Sequence, residues 1–211
     1  MDTRIGLFGG TFNPIHVGHL IVARAAAEQL HLTKMIFVPS ARPPHKPAEA
    51  LPEPQQRLQM VRLAIAGQEL FEASDCELRR GGPSYTIETV AHFRQRFGPQ
   101  AELFWLIGAD SLTELASWHR IEALVEACQI ATARRSGWDA PDLSPLRRRL
   151  SNKQIQRLEA AILSTPRIDI SASQIRQRIR QGLSIRWLVP EPVEQYIVQH
   201  RLYRQAEPTA P

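Results

Sequence analysis

The chain has 211 residues, 43% of them hydrophobic, which is enough for one sizeable buried core. Its formal net charge of +5 and pI of about 9.8 fit a solvated basic surface or the binding of small polyanions. A nucleic-acid partner is not expected, because the dense basic run Arg147–Arg149 has no aromatic neighbour. No run is apolar over a bilayer's thickness, and the first residues lack the pattern of a signal peptide. We therefore expect no membrane partner and a cytoplasmic location.

Apolar strand-like runs alternate with helical patterns along the whole chain. The predicted strands are Ile5–Phe8, Met35–Val38, Phe71–Leu78, Leu103–Ile107, Gln129–Thr132 and Ile168–Ile170. The predicted helices are Leu20–Leu30, Gln55–Ala66, Thr86–Phe97, Ile121–Ala127, Asn152–Leu163, Ser173–Gln181 and Val193–Gln199. This alternation predicts an α/β fold, a doubly wound and mostly parallel sheet with helices on both faces. Ligands of such sheets bind outside the carboxyl ends of the strands.

Residues 1–204 are predicted to form a single domain, and the polar, proline-containing residues 205–211 a flexible tail. Prolines crowd residues 39–54, which predicts a long functional loop after the second strand, whereas residues 136–151 are predicted to be a surface insertion. Cys76 and Cys128 lie in apolar, strand-like segments without metal-ligand spacing. We expect both to be reduced thiols in the core.

The most specific motif is the stretch Gly9–His19, which directly follows the first predicted strand. Its two leading glycines have no Cβ, so the backbone can approach a bulky anion closely. The helix that begins near Gly18 directs unpaired N–H groups and the positive end of its dipole at the same place. His16 and His19 are about one helical turn apart, so both imidazoles can face one phosphate. The stretch predicts a phosphate site at the mouth of a parallel sheet.

Other glycine-rich and histidine motifs do not match this stretch. The dinucleotide fingerprint G-x-G-x-x-G is absent, and no lysine follows Gly18 as a P-loop requires. A metal site is not expected either, because His-x-x-His falls short of His-Glu-x-x-His and no nearby carboxylate or cysteine completes a ligand set. The remaining structural alternative is an ordinary strand–turn–helix whose histidines are exposed.

Three further motifs fall where ligand-binding loops are expected. Lys46, in the proline-rich loop, is either a mobile charge for a polyphosphate or a solvated lysine. Asp110 follows a buried strand and Gly108, and it either binds ribose hydroxyls or hydrated magnesium, or simply caps the next helix. Ser173 is predicted to start a helix whose N–H groups, with Arg176, form an anion site. The alternative there is an N-cap serine with a surface arginine.

Taken in chain order, these motifs closely resemble those of the bacterial nicotinate-nucleotide adenylyltransferase family of the nucleotidylyltransferase superfamily. The resemblance covers about Ile5 to Tyr203. Asn13 stands where the family more often has Asp, and Ser136 replaces a proline that often follows the arginine matched by Arg135. The matching segments are Gly9–His19, Pro43–Lys46, Ser84–Thr86, Ile107–Asp110, Trp118–Arg120, Ile170–Arg176 and Trp187–Pro190.

The resemblance implies a Rossmann-like nucleotidyltransferase fold and the transfer of AMP from ATP, with its magnesium, to nicotinate mononucleotide, giving deamido-NAD and pyrophosphate in NAD biosynthesis. The implied catalytic residues are His16, His19, Lys46 and Arg176. The implied ATP-binding residues are Gly9, Gly10, Thr11, Phe12, His16, His19, Gly108, Asp110, Ser173 and Arg176. The implied residues for the second substrate are Lys46, Tyr85, Thr86, Trp118 and His119. The sequence leaves open whether the chain forms a homo-oligomer.

Two alternatives to this activity remain at the level of sequence. The chain could adenylylate another phosphorylated substrate, either nicotinamide mononucleotide or phosphopantetheine. It could also be a non-catalytic regulator that binds a nucleotide without turnover. The complete set of both histidines, Lys46, Ser173 and Arg176 favours an enzyme, because a sensor has little use for a full reacting centre.

Overall fold

Six strands of a computed structural model, which describes residues 3–42, 51–134 and 142–204, form one all-parallel sheet. Along the sheet their order is β3-β2-β1-β4-β5-β6. The order reverses between β1 and β4, and such a reversal opens a crevice at the carboxyl ends of the strands. The strands are β1 (Arg4–Gly10), β2 (Lys34–Pro39), β3 (Phe71–Ala73), β4 (Glu102–Gly108), β5 (Gln129–Ala133) and β6 (Ile162–Leu163).

Helices cover both faces of the sheet, because successive residues of its buried strands point to opposite sides. In β4, Leu103, Trp105 and Ile107 pack into one hydrophobic cluster, while Phe104 and Leu106 pack into the other. The predicted fold class is therefore confirmed. The helices are α1 (Val17–Gln29), α2 (Pro54–Ala64), α3 (Cys76–Arg80), α4 (Thr86–Phe97), α5 (Ala109–Glu114), α6 (Ile121–Ala127), α7 (Ser144–Arg147), α8 (Asn152–Ala160), α9 (Ala172–Arg180) and α10 (Glu191–Gln199).

The third strand is shorter than predicted. It ends at Ala73, and the predicted strand segment from Cys76 onward is helix α3 instead. Ser74 makes the change of direction, because its N–H still bonds to β2 while its hydroxyl accepts the N–H of Cys76 at 3.3 Å. An ion pair of 3.0 Å between Asp75 and Arg79, four residues apart, then supports the new helix.

The sixth strand was predicted in the wrong place. It is formed by Ile162–Leu163, at the end of a segment predicted as helix, whereas residues 168–170 form no strand. Helix α8 stops at Ala160, and the carbonyl of Ala161 then accepts the N–H of Thr132 in β5 at 3.0 Å. The apolar side chains at Ile168 and Ile170 line a cavity rather than extend the sheet.

The described part of the predicted surface insertion, residues 142–151, packs onto the core. Leu143, Leu146 and Leu150 are all buried beside α8, whereas the other seven residues of this stretch are exposed, so it lies at the surface with one side packed on the core. Both cysteines are free and buried as predicted, and burial raises the pKa of Cys128 to about 12. In the described residues, no helix combines the length and the apolar character needed to cross a membrane. Residues 205–211, the predicted tail, lie outside the described residues.

Candidate active site

The glycine-rich turn lies at the carboxyl end of β1, and close packing of an aromatic ring leaves no room for a side chain at its first glycine. A Cβ on Gly9 would lie 2.3 Å from the ring of Trp105, and one on Gly10 would lie 3.1 Å from the ring of Phe12. The sequence attributed these glycines to the approach of an anion, but close ring packing already requires the first of them. Trp105 was missed because it looks like an ordinary core residue of β4.

Two arginines hold the backbone carbonyls of this turn. Arg57 donates to the carbonyl of Thr11 at 2.8 Å, and Arg176 donates to that of Asn13 at 2.9 Å. Arg57 is only 1% exposed and also bonds the carbonyls of Ser40, at 2.8 Å, and Pro52, at 3.2 Å. Sequence reasoning missed Arg57, because one arginine in an amphipathic helix reads as a solvated side chain.

The two histidines are packed against each other rather than exposed to solvent. Their ring centroids are 3.7 Å apart with 30° between the planes, and His16 is only 7% exposed. The backbone N–H of His16 donates to Nδ1 of His19 at 3.2 Å. In a neutral His19 the proton therefore sits on Nε2, which makes that nitrogen a donor. The alternative of exposed histidines is wrong for His16.

The start of α1 differs from the expectation of unpaired N–H groups. The N–H of Val17 donates to the carbonyl of Leu188 at 2.9 Å, and that of His19 donates to the carbonyl of His16 at 3.0 Å. Protein carbonyls therefore already occupy two of the first three N–H groups of this helix. An anion at the start of α1 would therefore be bound by imidazole N–H groups more than by backbone N–H groups of the helix.

A cavity of about 560 Å³ opens at the switch point between β1 and β4. It is also lined by Ala133 at the end of β5, by Arg134 and by the apolar side chains of Val22, Ile168 and Ile170, none of which was among the predicted site residues. It brings together all the residues predicted to bind ATP, namely Gly9, Gly10, Thr11, Phe12, His16, His19, Gly108, Asp110, Ser173 and Arg176.

The first turns of α9 and α5 also line the larger cavity. The N-cap of α9 is Ser171, not Ser173, and its hydroxyl accepts the N–H of Gln174 at 3.2 Å. Ser173 is the second residue of that helix, and its hydroxyl is 3.5 Å from Nη2 of Arg176. At the start of α5 the N-cap is Gly108, so Asp110 lies in the first turn and is not the cap.

A second cavity, of about 200 Å³, lies on the other side of the glycine-rich turn. Tyr85, Thr86, Trp118 and His119, all predicted for the second substrate, line it. Thr86 is the first residue of α4, and the rings of Tyr85 and His119 are 4.4 Å apart. The two cavities share the residues of the turn and of the end of β4, namely Phe8, Gly9, Gly10, Thr11, Gly108 and Ser111.

Lys46 and Arg135 lie outside the described residues, so the structure says nothing about their side chains. The described residues on either side of the segment that carries Lys46 reach both cavities, since Ser40 lines the smaller one and Leu51 the larger. Among the described ranges, no three His, Cys, Asp or Glu side chains are grouped to hold a metal ion.

The sheet order and the two adjoining cavities at its switch point define a doubly wound α/β protein of the class that binds nucleotides there. A profile of the cytidylyltransferase-like family matches residues 7–178 of the chain. A solved structure of the same fold is described as "Plasmodium falciparum nicotinic acid mononucleotide adenylyltransferase complexed with NaAD". It aligns with a TM-score of 0.74 and 17% identity, covering 96% of this chain and 98% of that one.

Two bacterial relatives are much more similar in sequence, and both bear the name "Probable nicotinate-nucleotide adenylyltransferase". The relative from Synechococcus sp. (strain JA-3-3Ab) is 46% identical over 95% of this chain and 94% of its own length. The relative from Moorella thermoacetica is 40% identical over 95% of this chain and 92% of its own. The chain therefore belongs to the nicotinate-nucleotide adenylyltransferase family, within the cytidylyltransferase-like group.

Proposed function

We propose that the chain transfers the adenylyl group of ATP to nicotinate mononucleotide, forming deamido-NAD and pyrophosphate. The observation that carries this proposal is the pair of cavities that meet at the Gly9–Gly10 turn. A transfer between two nucleotides needs two pockets whose ligands touch at one point, with phosphate-binding groups around that point. His16, His19 and Arg176 supply such groups on the larger cavity's side of the turn.

ATP occupies the larger cavity in this proposal. Ile168 and Ile170 offer an apolar surface to the adenine, and the exposed carboxylate of Asp110 faces the ribose or the hydration shell of a magnesium ion. Magnesium usually keeps several waters and uses one or two carboxylates with substrate phosphates, so a single Asp110 fits it. When bound with ATP, the ion would neutralise charge on the phosphates. The start of α9 and Arg176 face the β- and γ-phosphates.

Nicotinate mononucleotide occupies the smaller cavity. Trp118 offers its indole face to the pyridine ring, and the N–H groups at Thr86 and His119 face the ring carboxylate. Thr86 opens a helix of 12 residues, whose dipole favours a negative charge at that end. This arrangement directs the 5′-phosphate of the mononucleotide toward the shared turn. Lys46 is proposed to add a positive charge there from the segment after β2.

The proposed reaction is an in-line displacement at the α-phosphorus of ATP. An oxygen of the mononucleotide's 5′-phosphate forms the new bond to phosphorus, the bond to the bridging α–β oxygen breaks, and pyrophosphate leaves with that electron pair. The nucleophile is already an anion, so no side chain has to remove a proton. Catalysis is then positioning and charge stabilisation, to which Nε2–H of His19 and the Arg176 guanidinium contribute.

A direct test is to incubate the purified protein with ATP, magnesium and each of three acceptors, namely nicotinate mononucleotide, nicotinamide mononucleotide and phosphopantetheine. We expect pyrophosphate release and stoichiometric deamido-NAD with the first acceptor. Faster turnover of either other acceptor would replace the proposed substrate. Nucleotide binding without pyrophosphate release from any acceptor would indicate a regulator and overturn the enzymatic proposal.

A further inference from the structure

A buried carboxylate, Glu77, lies in the wall of the smaller cavity and is not used by the proposed reaction. It is 3% exposed, and its Oε1 accepts the hydroxyl of Thr89 at 2.6 Å. Its Oε2 makes no hydrogen bond to any residue in the described parts of the chain. Burial raises the pKa of Glu77, although the Ser84 and Thr89 hydroxyls, Arg80 and the N–H of Ala41 all act to lower it. Because burying a carboxylate costs free energy, the presence of one at this position requires a structural or functional explanation.

The first partner of Glu77 connects it to the start of α4. Thr89 is fully buried, and its hydroxyl lies 2.6 Å from Glu77 and 3.5 Å from the carbonyl of Tyr85. Tyr85 is the residue directly before α4, and Tyr85 and Thr86 line the cavity. Glu77 therefore supports, through Thr89, the short segment that faces the proposed pyridine ring.

The second group near Glu77 connects it to the segment after β2. The Ser84 oxygen accepts the N–H groups of Ala41 at 2.9 Å and Arg42 at 3.3 Å, and the N–H of Ser84 donates to the carbonyl of Arg42 at 3.0 Å. With its oxygen accepting two donors, the Ser84 hydroxyl still has a hydrogen to donate. The Ser84 hydroxyl also acts to lower the pKa of Glu77, and both residues line the smaller cavity.

We propose that Glu77 is a positioning residue for the acceptor substrate. Through Thr89 it holds Tyr85–Thr86 in place, while the adjacent Ser84 joins that segment to Ala41–Arg42, from which the chain continues toward Lys46. This inference rests on the proposed function, because it assigns the smaller cavity to nicotinate mononucleotide. Since Glu77 does not line the larger cavity, its removal affects the acceptor substrate and leaves ATP binding unchanged.

The test compares Glu77→Gln with Glu88→Gln. The first keeps an oxygen for Thr89 but places an NH₂ group where Ser84 and Ala41 present donors. The second removes an ion pair of 3.2 Å with Arg80 outside both cavities. Calorimetric titration of each protein with nicotinate mononucleotide alone, and with MgATP alone, gives the two dissociation constants. We expect Glu77→Gln to weaken mononucleotide binding about tenfold or more, with ATP binding within twofold of wild type.

A second variant, Thr89→Val, keeps the test decisive if Glu77→Gln fails to fold. Loss of this hydroxyl is expected to weaken mononucleotide binding selectively as well, and in a folded double variant the two effects are expected to be less than additive. Equal weakening of both ligands, or unchanged mononucleotide binding in folded variants, would overturn the positioning role alone. A wild-type protein that binds ATP but not nicotinate mononucleotide would instead overturn the proposed function.

Discussion

The backbone N–H of His16 donates a hydrogen bond to Nδ1 of His19, and this bond determines which nitrogen of a neutral His19 carries the hydrogen. A hydrogen on Nδ1 would oppose that N–H, so the hydrogen of a neutral ring lies on Nε2. The helix start thus prepares the side chain before any substrate arrives. In the proposed reaction, a donor fixed in this way loses little entropy when charge develops on the α-phosphate.

Replacement of His19 by alanine is expected to leave a folded protein whose kcat/KM falls about 10²–10³-fold, the usual loss for one preorganised donor. Steady-state kinetics and thermal unfolding on the same preparation measure both properties. His19→Gln can place an amide N–H near the position of Nε2, whereas His19→Asn restores only an acceptor near Nδ1. We therefore expect the glutamine variant to be the more active of the two, and equal activities would contradict the role of Nε2.

Replacement of Arg57 by methionine is expected to destabilise the protein strongly and to reduce turnover. Its guanidinium bonds three backbone carbonyls, those of Thr11, Ser40 and Pro52. Each buried carbonyl left without a donor costs about 1–3 kcal/mol, so a loss of about 3 kcal/mol or more in the free energy of unfolding is expected. Urea unfolding followed by fluorescence measures it.

Arg62→Met is the matched control, because Arg62 is exposed on the same helix. It should change the free energy of unfolding by less than about 0.5 kcal/mol. Arg57→Lys keeps the charge but not the planar fork, so we expect it to restore only part of the stability. Full recovery with lysine would mean that charge, rather than the bonds to three carbonyls, is what the site requires.

Buried hydrogen-bonding groups such as Arg57 and Glu77 could not be predicted from the sequence. Periodicity and glycine-rich turns found β1, α4 and the Gly9–His19 motif, because these depend on local patterns. Ile168–Ile170 looked like a strand, since an apolar cavity wall and a sheet edge select the same residues. Whether a charged residue faces solvent or the carbonyls of another loop depends on tertiary packing, which one sequence does not display.

The stability of the protein is expected to depend on pH through Glu77. Burial is the largest influence on its pKa, which is raised above the usual value near 4.5, while the charge of Arg80 lowers it less. The folded chain therefore holds this proton more tightly than the unfolded chain. The contribution of Glu77 to stability is full below the unfolded pKa and is lost as the pH rises through the folded pKa.

Urea unfolding of wild type and Glu77→Gln between about pH 4 and pH 7 tests this dependence, because the glutamine does not titrate. With rising pH, wild type should lose stability relative to the variant. Glu88 is the exposed ion-pair partner of Arg80 and serves as the control. The stability of Glu88→Gln should change with pH as that of wild type does over the same range. A difference between wild type and Glu77→Gln that is constant with pH would show that Glu77 does not titrate there with a raised pKa.

The acid mononucleotide is expected to be preferred over its amide by about 10²-fold or more in kcat/KM. N–H donors at Thr86 and His119 can both be satisfied by the two acceptor oxygens of a carboxylate. An amide turns its NH₂ group toward one of them, and if the bound ring excludes water there, both donors are left unpaired, at about 1–3 kcal/mol for each group. Initial rates with both mononucleotides at fixed ATP measure the ratio of the two kcat/KM values. Comparable kcat/KM values would contradict the assignment of Thr86 and His119 to the ring carboxylate.

The contact between Arg176 and the carbonyl of Asn13 spans 163 residues of sequence. The contact between Leu188 and Val17 spans a similar stretch. During synthesis, the early segment leaves the ribosome long before its distant partners exist, and contacts between remote segments form slowly. A nascent chain that already holds β1 and α1 therefore lacks a finished nucleotide cavity. Fragments that end before α9 should not sequester ATP, so incomplete products do not compete with the finished enzyme for its substrate.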